Sequence, residues 1–329
     1  SDPTMKELAT EYMGLKLPTP LIVSSSPLTA SAPQIAELAA HGAGAVVLKS
    51  IFEEQISGET AMLDRYHDYP EAADYLRAYV HEDNLNRYTA LIAEAKRRCD
   101  IPVIASINCS SRGKWTDYAV KMAEAGADAL ELNIFFLPTD RTLPSTEIEA
   151  HYLDIIEAVA RQVTIPVSVK FSMRFTNIFH MIQEAYNRGA RGAVLYNRFF
   201  EPDIDIDSMS YVPAGDLSSP SELHRSLRYV AIASAEIPHM DYSVSTGVHS
   251  GKDAIKSILA GANAVQLCST ILIHGMKVMG EINAEISAWM EQNGFERIDD
   301  FRGLMNRKVR PGDPLLERVQ YMKTFPAEL

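Results

Sequence analysis

The stretch AGANAVQLCST, residues 260–270, carries a phrase that the chain writes four times. HGAGAVVLKS (41–50), AGADALELN (125–133) and RGARGAVLYN (188–197) repeat it: glycine and small residues run into an apolar burst that stops at a polar side chain. A second phrase alternates with it, in TPLIVSS (19–25), IPVIASIN (101–108), IPVSVKF (165–171) and IPHMDYSVSTG (237–247), where proline breaks the preceding helix and an apolar run follows. Interleaved, the two phrases predict eight short strands, at 20–24, 45–49, 102–107, 128–133, 166–170, 192–196, 242–245 and 263–267. Their apolar runs are continuous, the pattern of parallel strands covered on both faces. Helical patterns fill the intervals at 33–40, 84–98, 115–125, 147–162, 178–188, 221–235 and 252–260, and a last one, 276–293, follows the eighth strand. Eight strand-then-helix units predict an α/β protein of the closed (β/α)8 TIM barrel class. The repeated Gly–Ala pair lets each helix end and the chain turn tightly into the next strand.

One domain is expected over residues 5–305, after a cloning scar, SDPT, at 1–4. The tail, 306–329, has spaced apolar residues (Leu315, Leu316, Val319, Tyr321, Met322 and Phe325) that call for burial on the barrel or on a partner subunit. With 47% hydrophobic and 22% charged residues in 329, the composition is that of a globular protein. The net charge is −12 and the longest basic run is Lys96–Arg97–Arg98, which argues against nucleic acid or an anionic membrane as partner. No apolar run approaches the roughly 20 residues of a membrane-spanning helix, and the start has no signal-peptide pattern, so a cytoplasmic protein with small-molecule partners is expected. Cys99, Cys109 and Cys268 form neither a disulfide framework nor a metal motif, and three thiolates are too few for a four-cysteine iron–sulfur cluster. Redox chemistry would therefore need a bound organic cofactor.

In this barrel the active site is built at the C-terminal ends of the strands. Those positions hold Ser24, Ser25 and Ser26, Lys49 and Ser50, Asn108 and Cys109, Asn133, Lys170, Asn197 and Arg198, Thr246 and Gly247, Cys268 and Ser269. A single lysine at a strand end is usually solvated or salt-bridged, and a single asparagine serves a turn as readily as a ligand. Two lysines and three asparagines at five strand ends instead form a convergent polar mouth. STGVHSGKDAIKSILAG (245–261) and QLCST (266–270) put small residues and hydroxyls after strands seven and eight, where this barrel commonly binds phosphate. The simpler reading is a tight turn capped by Ser250.

VSTGVHSGKDAIKSILAGANAVQLCSTIL (244–272), GFERIDDFRG (294–303), GLKLPTPLIVSSS (14–26), GAVVLKS (44–50) and LELN (130–133) together resemble the dihydroorotate dehydrogenase family, nearest to its soluble class 1 members. The resemblance runs from Met5 to about Met305 and is weakest from about 55 to 100. It implies a (β/α)8 barrel holding flavin mononucleotide (FMN) at the strand ends, its phosphate in the last two loops, in a homodimer. It also implies hydride transfer from a small, pyrimidine-like substrate to the flavin, with dihydroorotate to orotate as the family default. By the same resemblance Ser25 touches the flavin, Asn108 falls among the cofactor-binding positions, and Lys49 lies beside flavin and substrate. Lys170 lies by the pyrimidine side of the isoalloxazine, where a cation favours the anionic reduced flavin. Asn133 and Asn197 match asparagines that contact flavin and bound pyrimidine, which makes Lys49, Asn133, Lys170 and Asn197 the implied catalytic set. Gly247, Ser269 and Thr270 match phosphate-loop positions, while Thr246 and Cys268 replace glycines there.

The substrate side departs from the family. LNIFFLPT (132–139) stands where the family has LNLSCPN, so Phe136 occupies the position of the base and cannot take a proton. AMLDRYHDYPEAADY (61–75) replaces the asparagine-bearing substrate loop, and Arg198 replaces a serine or threonine that bonds substrate. The same flavin barrel with another substrate is the expectation. Replacement bases are Thr139, Asp140, Cys109, Ser110, Tyr66 and His67, each more often an ordinary loop residue. Two other readings stay open: a flavin-free barrel enzyme on a phosphorylated metabolite, with Lys49 or Lys170 as Schiff-base lysine, and a flavin-binding relative without turnover that acts as a partner or regulator. The acidic DIDIDSMSY (203–211) has no role in any of them.

Overall fold

The computed structural model describes residues 5–53, 70–111, 113–199, 201–215 and 217–319, with backbone alone at 70–83 and at 114. A hairpin of β1 (Thr10–Tyr12) and β2 (Leu15–Leu17) precedes β3 (Leu21–Val23), β4 (Ala45–Val47) and the two-residue β5 (Ile51–Phe52). Next come β6 (Val103–Cys109), β7 (Ala129–Ile134), β8 (Val167–Phe171) and β9 (Gly192–Leu195). A second hairpin, β10 (Pro202–Asp205) and β11 (Ser210–Pro213), leads to β12 (Asp241–Val244) and β13 (Ala264–Leu267). Parallel pairing runs β3–β4–β6–β7–β8–β9–β12–β13, and β13 pairs back to β3. The eight predicted strands thus close into a (β/α)8 barrel, each within a residue or two of its expected bounds.

Helices alternate with the strands, among them Ala32–Ala40, Ser145–Ala160, Ile178–Asn187, His224–Glu236, Gly251–Ala260 and Lys277–Asn293. The helix predicted from 84 begins earlier, at Pro70, and runs to Arg98. Proline is compatible with a first helical turn, and no glycine or proline interrupts the chain after it. Both hairpins and the short helix Ser269–His274 lie outside the sequence prediction. The hairpin strands TEY, LKL, PDID and SYVP lack the continuous apolar run that marks the barrel strands. Among the described residues no helix is long and apolar enough to cross a membrane.

Alternate residues of a strand face opposite sides. On the outer side Leu21, Val23, Val46, Val103, Leu130 and Val169 pack beneath the helices. On the inner side Ile22, Ala45, Ile104, Ala129 and Ala264 pack with Tyr12, Met13 and Leu17 of the β1–β2 hairpin, which closes the barrel's lower end. The next inward residues are polar and buried: Ser106, Glu131, Ser168, Ser243 and Gln266, with Gln266 Nε2 donating to Glu131 Oε1 at 2.9 Å. Two residues further along each strand the interior opens, and there stand Asn108, Asn133 and Lys170, in register across β6, β7 and β8.

The described part of the tail lies on the helix His224–Glu236. Arg307 N–H donates to Ala231 O at 2.9 Å, Arg228 Nη2 donates to Arg318 O at 2.6 Å, and Leu316 packs against the core. Leu315 and Val319 are exposed on this chain, so of the three described apolar residues only Leu316 packs on the barrel itself; Tyr321, Met322 and Phe325 lie outside the described residues.

Candidate active site at the mouth of the barrel

Two linked groups of side chains build the mouth. On one side Ser50 N–H donates to Ser25 Oγ at 2.8 Å, and a hydroxyl chain runs from Ser25 to Ser50 (2.9 Å) and on to Ser106 (2.6 Å). This chain pins the turn after β4 that carries Lys49, whose own side chain is exposed. On the other side Asn197 Nδ2 donates to Asn133 Oδ1 at 2.7 Å, and Asn197 N–H donates to Phe171 O at 2.7 Å. The pair presents the Asn133 amide N–H groups as donors and the Asn197 carbonyl as an acceptor.

Between them lies a cavity of about 200 Å³. Ser25, Lys170, Asn197, Thr246, Gly247, Cys268 and Ser269, all predicted from the sequence, line it together with Ser24, Ser218 and Gln266. Thr270 is buried behind Ser269, and Asn108 sits across the mouth beside Asn133. Asn108 Oδ1 and Gln266 Oε1 are buried acceptors without a hydrogen-bond partner among the described residues. An acceptor left so costs about 1–3 kcal/mol, which a donor on a bound ligand would relieve.

The loop after β12 is shaped for an anion. Thr246 and Gly247 have φ of +74° and +90°. Threonine is rare there, and its Oγ1 fastens the conformation by donating to Tyr196 O at 3.0 Å. A Cβ on Gly247 would stand 2.3 Å from Leu223 N, so only glycine fits. The backbone N–H groups of Gly247, Val248 and Ser269 have no partner among the described residues and belong to residues that line the cavity. Further along, the protein uses its own groups. His249 N–H donates to Asp253 Oδ2 (2.9 Å), Gly251 N–H to Glu285 Oε2 (2.9 Å) and Asp253 N–H to Ser250 Oγ (3.3 Å). Only residues 246–248 of this loop therefore offer free N–H groups to the cavity, because the helix start at Gly251 is already capped by Ser250 and by carboxylates that would repel an anion. Ser269 Oγ accepts from Ser218 N–H at 3.0 Å, and Ser218 Oγ contacts His249 Nε2 at 2.9 Å. Burial holds the His249 ring below its ordinary pKa despite the opposing charge of Asp253.

The expected replacement bases fare differently. Phe136 is half-buried against the core, its ring 6.0 Å from that of His151, and offers no acceptor. Cys109 is fully buried on the helix-facing side of β6, which corrects its candidacy as a base. Ser110 is engaged through its N–H with Glu53 Oε2 at 3.0 Å and through its carbonyl with His151. Asp140 is exposed and accepts from the Thr142 hydroxyl and N–H, which lower its pKa and weaken it as a base. Thr139 is exposed; Tyr66 and His67 lie outside the described residues. Burial pushes the Cys268 thiol above its ordinary value, opposed by a hydrogen bond to Ser26 and the charge of Lys170, so it stays protonated at neutral pH. Sequence reading missed Ser106, Glu131 and Gln266, which counting back two residues from Asn108, Asn133 and Cys268 finds. It also missed Glu53 and Ser218, loop residues with no distinguishing signal.

The sequence profile of dihydroorotate dehydrogenase matches residues 7–290. The chain is 30% identical over 311 residues to the catalytic subunit of dihydroorotate dehydrogenase B (NAD(+)) from Thermoplasma volcanium, an alignment covering 91% of this chain and 99% of that protein. It is 28% identical to a putative dihydroorotate dehydrogenase A (fumarate) from Aeropyrum pernix, over 92% of this chain and 98% of that one. It is also 24% identical to the NAD-dependent dihydropyrimidine dehydrogenase subunit PreA from Escherichia coli, over 94% of this chain and 79% of that subunit. With the profile matched over most of its length and a relative aligned nearly end to end, the chain belongs to the dihydroorotate dehydrogenase family.

Proposed function

We propose that the protein is an FMN-dependent oxidoreductase that takes hydride from a CH–CH bond of a pyrimidine-like substrate. The observation that carries this reading is the meeting, in one cavity, of Lys170 and Asn197 with unpartnered backbone N–H groups of Gly247, Val248 and Ser269. The residues fit the cofactor: the two loops would offer N–H groups to its phosphate, Ser25 and, by the family resemblance, Lys49 would stand beside its ring, and Asn108 Oδ1 has no donor among the described residues. When bound, the flavin supplies a two-electron acceptor. Lys170 provides a fixed positive charge against electron density gained on reduction. The Asn133–Asn197 pair, with a donor and an acceptor side by side, suits the alternating amide edge of a pyrimidine. Phe136 leaves the proton of a dihydroorotate-like substrate without an acceptor at the family position, so this reading places the protein on a different pyrimidine-like compound. Relatives named for dihydroorotate and dihydropyrimidine oxidation favour neither the Schiff-base enzyme nor the flavin protein without turnover.

The reading includes a cytoplasmic homodimer. It is supported by Ile206, Met209 and Tyr211 on the β10–β11 hairpin, 82%, 87% and 79% exposed, which would be covered by a second copy. Anaerobic mixing of the purified protein with excess dihydropyrimidines tests the reaction. Flavin bleaching by at least one of them is expected; bleaching by dithionite alone would remove the pyrimidine assignment.

A further inference from the structure

A second cavity, of about 360 Å³, adjoins the first and shares Asn197, Arg198 and Thr246 with it. A ligand held at the Asn133–Asn197 pair can therefore reach into it. Its described lining carries three guanidinium groups, Arg174, Arg198 and Arg225, against two carboxylates, Glu201 and Glu222. Arg174 lies over the Phe199 ring, 4.7 Å from its centroid, and has no carboxylate partner among the described residues. Arg198 and Arg225 both reach Glu222 Oε1, at 3.4 and 3.6 Å. The other oxygen of Glu222 accepts from Ser219 N–H at 2.6 Å, which fixes this carboxylate, 13% exposed, in place. Glu222 is thus shared between two cations at long range, and Arg174 has no carboxylate among the described residues.

Such an arrangement contributes little to stability, since partly exposed ion pairs give about 0–1 kcal/mol. It is well suited to a ligand. Planar guanidinium groups match the oxygens of carboxylate and phosphate. The arginines also sit where the fold puts ligand-binding groups: Arg174 follows β8 and Arg198 follows β9, in the loops of the barrel's active face.

We infer that this cavity is a subsite for an anionic extension of the substrate, a phosphate or carboxylate carried on an arm from the ring that reacts at the flavin. The position of the ring rests on the function proposed above; the anion subsite rests on the arginines. The substrate class that follows is a phosphorylated or carboxylated derivative rather than a free base.

Calorimetric titration of the flavin-loaded protein with inorganic phosphate and, separately, malonate, at constant ionic strength in chloride, tests it. Saturable binding is expected, weakened at least ten-fold in Arg225→Met and strengthened several-fold in Glu222→Gln. The glutamine keeps an acceptor for Ser219 N–H while removing the competing charge, and tighter binding cannot arise from misfolding. Preference for phosphate or for malonate assigns the arm. Absence of binding by either anion, or equal binding in wild type and Arg225→Met, overturns the inference, as does loss of flavin in Arg225→Met, which would put the cofactor itself in this cavity. A colourless protein whose phosphate binding still depends on Arg225 would overturn the flavin reading and leave the anion subsite standing.

Discussion

Replacing Gly247 by alanine should damage both stability and cofactor binding, in amounts set by the local geometry. At φ of +90° the new side chain suffers left-handed strain of about 1–2 kcal/mol. Its Cβ would also stand 2.3 Å from Leu223 N and 2.8 Å from Leu223 Cα, backbone atoms that yield only if the segment moves. Overpacking of this kind costs about 1–3 kcal/mol, for a total of about 2–5 kcal/mol. At about 2.1 cal/mol/K of unfolding entropy per residue, a chain of this length loses about 1.4 °C of Tm per kcal/mol, so a drop of about 3–7 °C is expected. Gly294 supplies the control, because its φ of +73° and ψ of 26° are left-handed but nothing lies within 4 Å of a Cβ there. Gly294→Ala should lose only the strain, about 1–3 °C, and keep its flavin. Differential scanning calorimetry and the flavin-to-protein absorbance ratio measure both. Gly247→Ala with full flavin content and a Tm equal to that of Gly294→Ala would refute the close fit of Gly247 against Leu223 and its proposed part in holding the cofactor.

Lys170→Met should lower the flavin reduction potential by tens of millivolts, since loss of a contact worth about 2–4 kcal/mol corresponds to roughly 40–90 mV for two electrons; an unchanged potential with flavin bound would contradict the role. Dihydroorotate should bleach the flavin slowly, and Phe136→Cys should accelerate it about a hundred-fold or more, the lower end of the 10²–10⁴-fold supplied by a positioned base; stopped-flow absorbance decides, and full reduction of the wild type within a second would refute the assignment. For His249 the folded pKa lies below the ordinary 6.5, so the unfolded chain binds more protons between the two values. Stability therefore falls as pH drops through 6.5 toward the folded value, and His249→Gln should show a shallower fall in Tm between pH 7 and pH 5; parallel curves would contradict it.

The barrel was legible because its strands repeat: proline or Gly–Ala punctuation, a continuous apolar run, then a polar stop, eight times over. The same punctuation located Lys170, Asn133, Asn197, Gly247 and Ser269, since the polar residues just past a buried run in this fold lie at the mouth wherever they fall on the inward side of the strand. What the sequence hid depends on pairing across loops. Glu285 capping the Gly251 N–H is 34 residues away in the chain and shortens the anion loop, and no local pattern announces it. Cys109 looked like a mouth residue beside Asn108, but a single step along β6 turns it to the helix side. The cluster of Arg174, Arg198 and Arg225 comes from three separate loops or helices and is visible only when they are brought together.

The bound cofactor itself gives the most direct test. Purified protein should be yellow and, on denaturation, release one flavin mononucleotide per chain, identified by absorbance and mass. A colourless protein that takes up no flavin mononucleotide when offered it would contradict the assignment of Lys170, Gly247 and Ser269 to a flavin site.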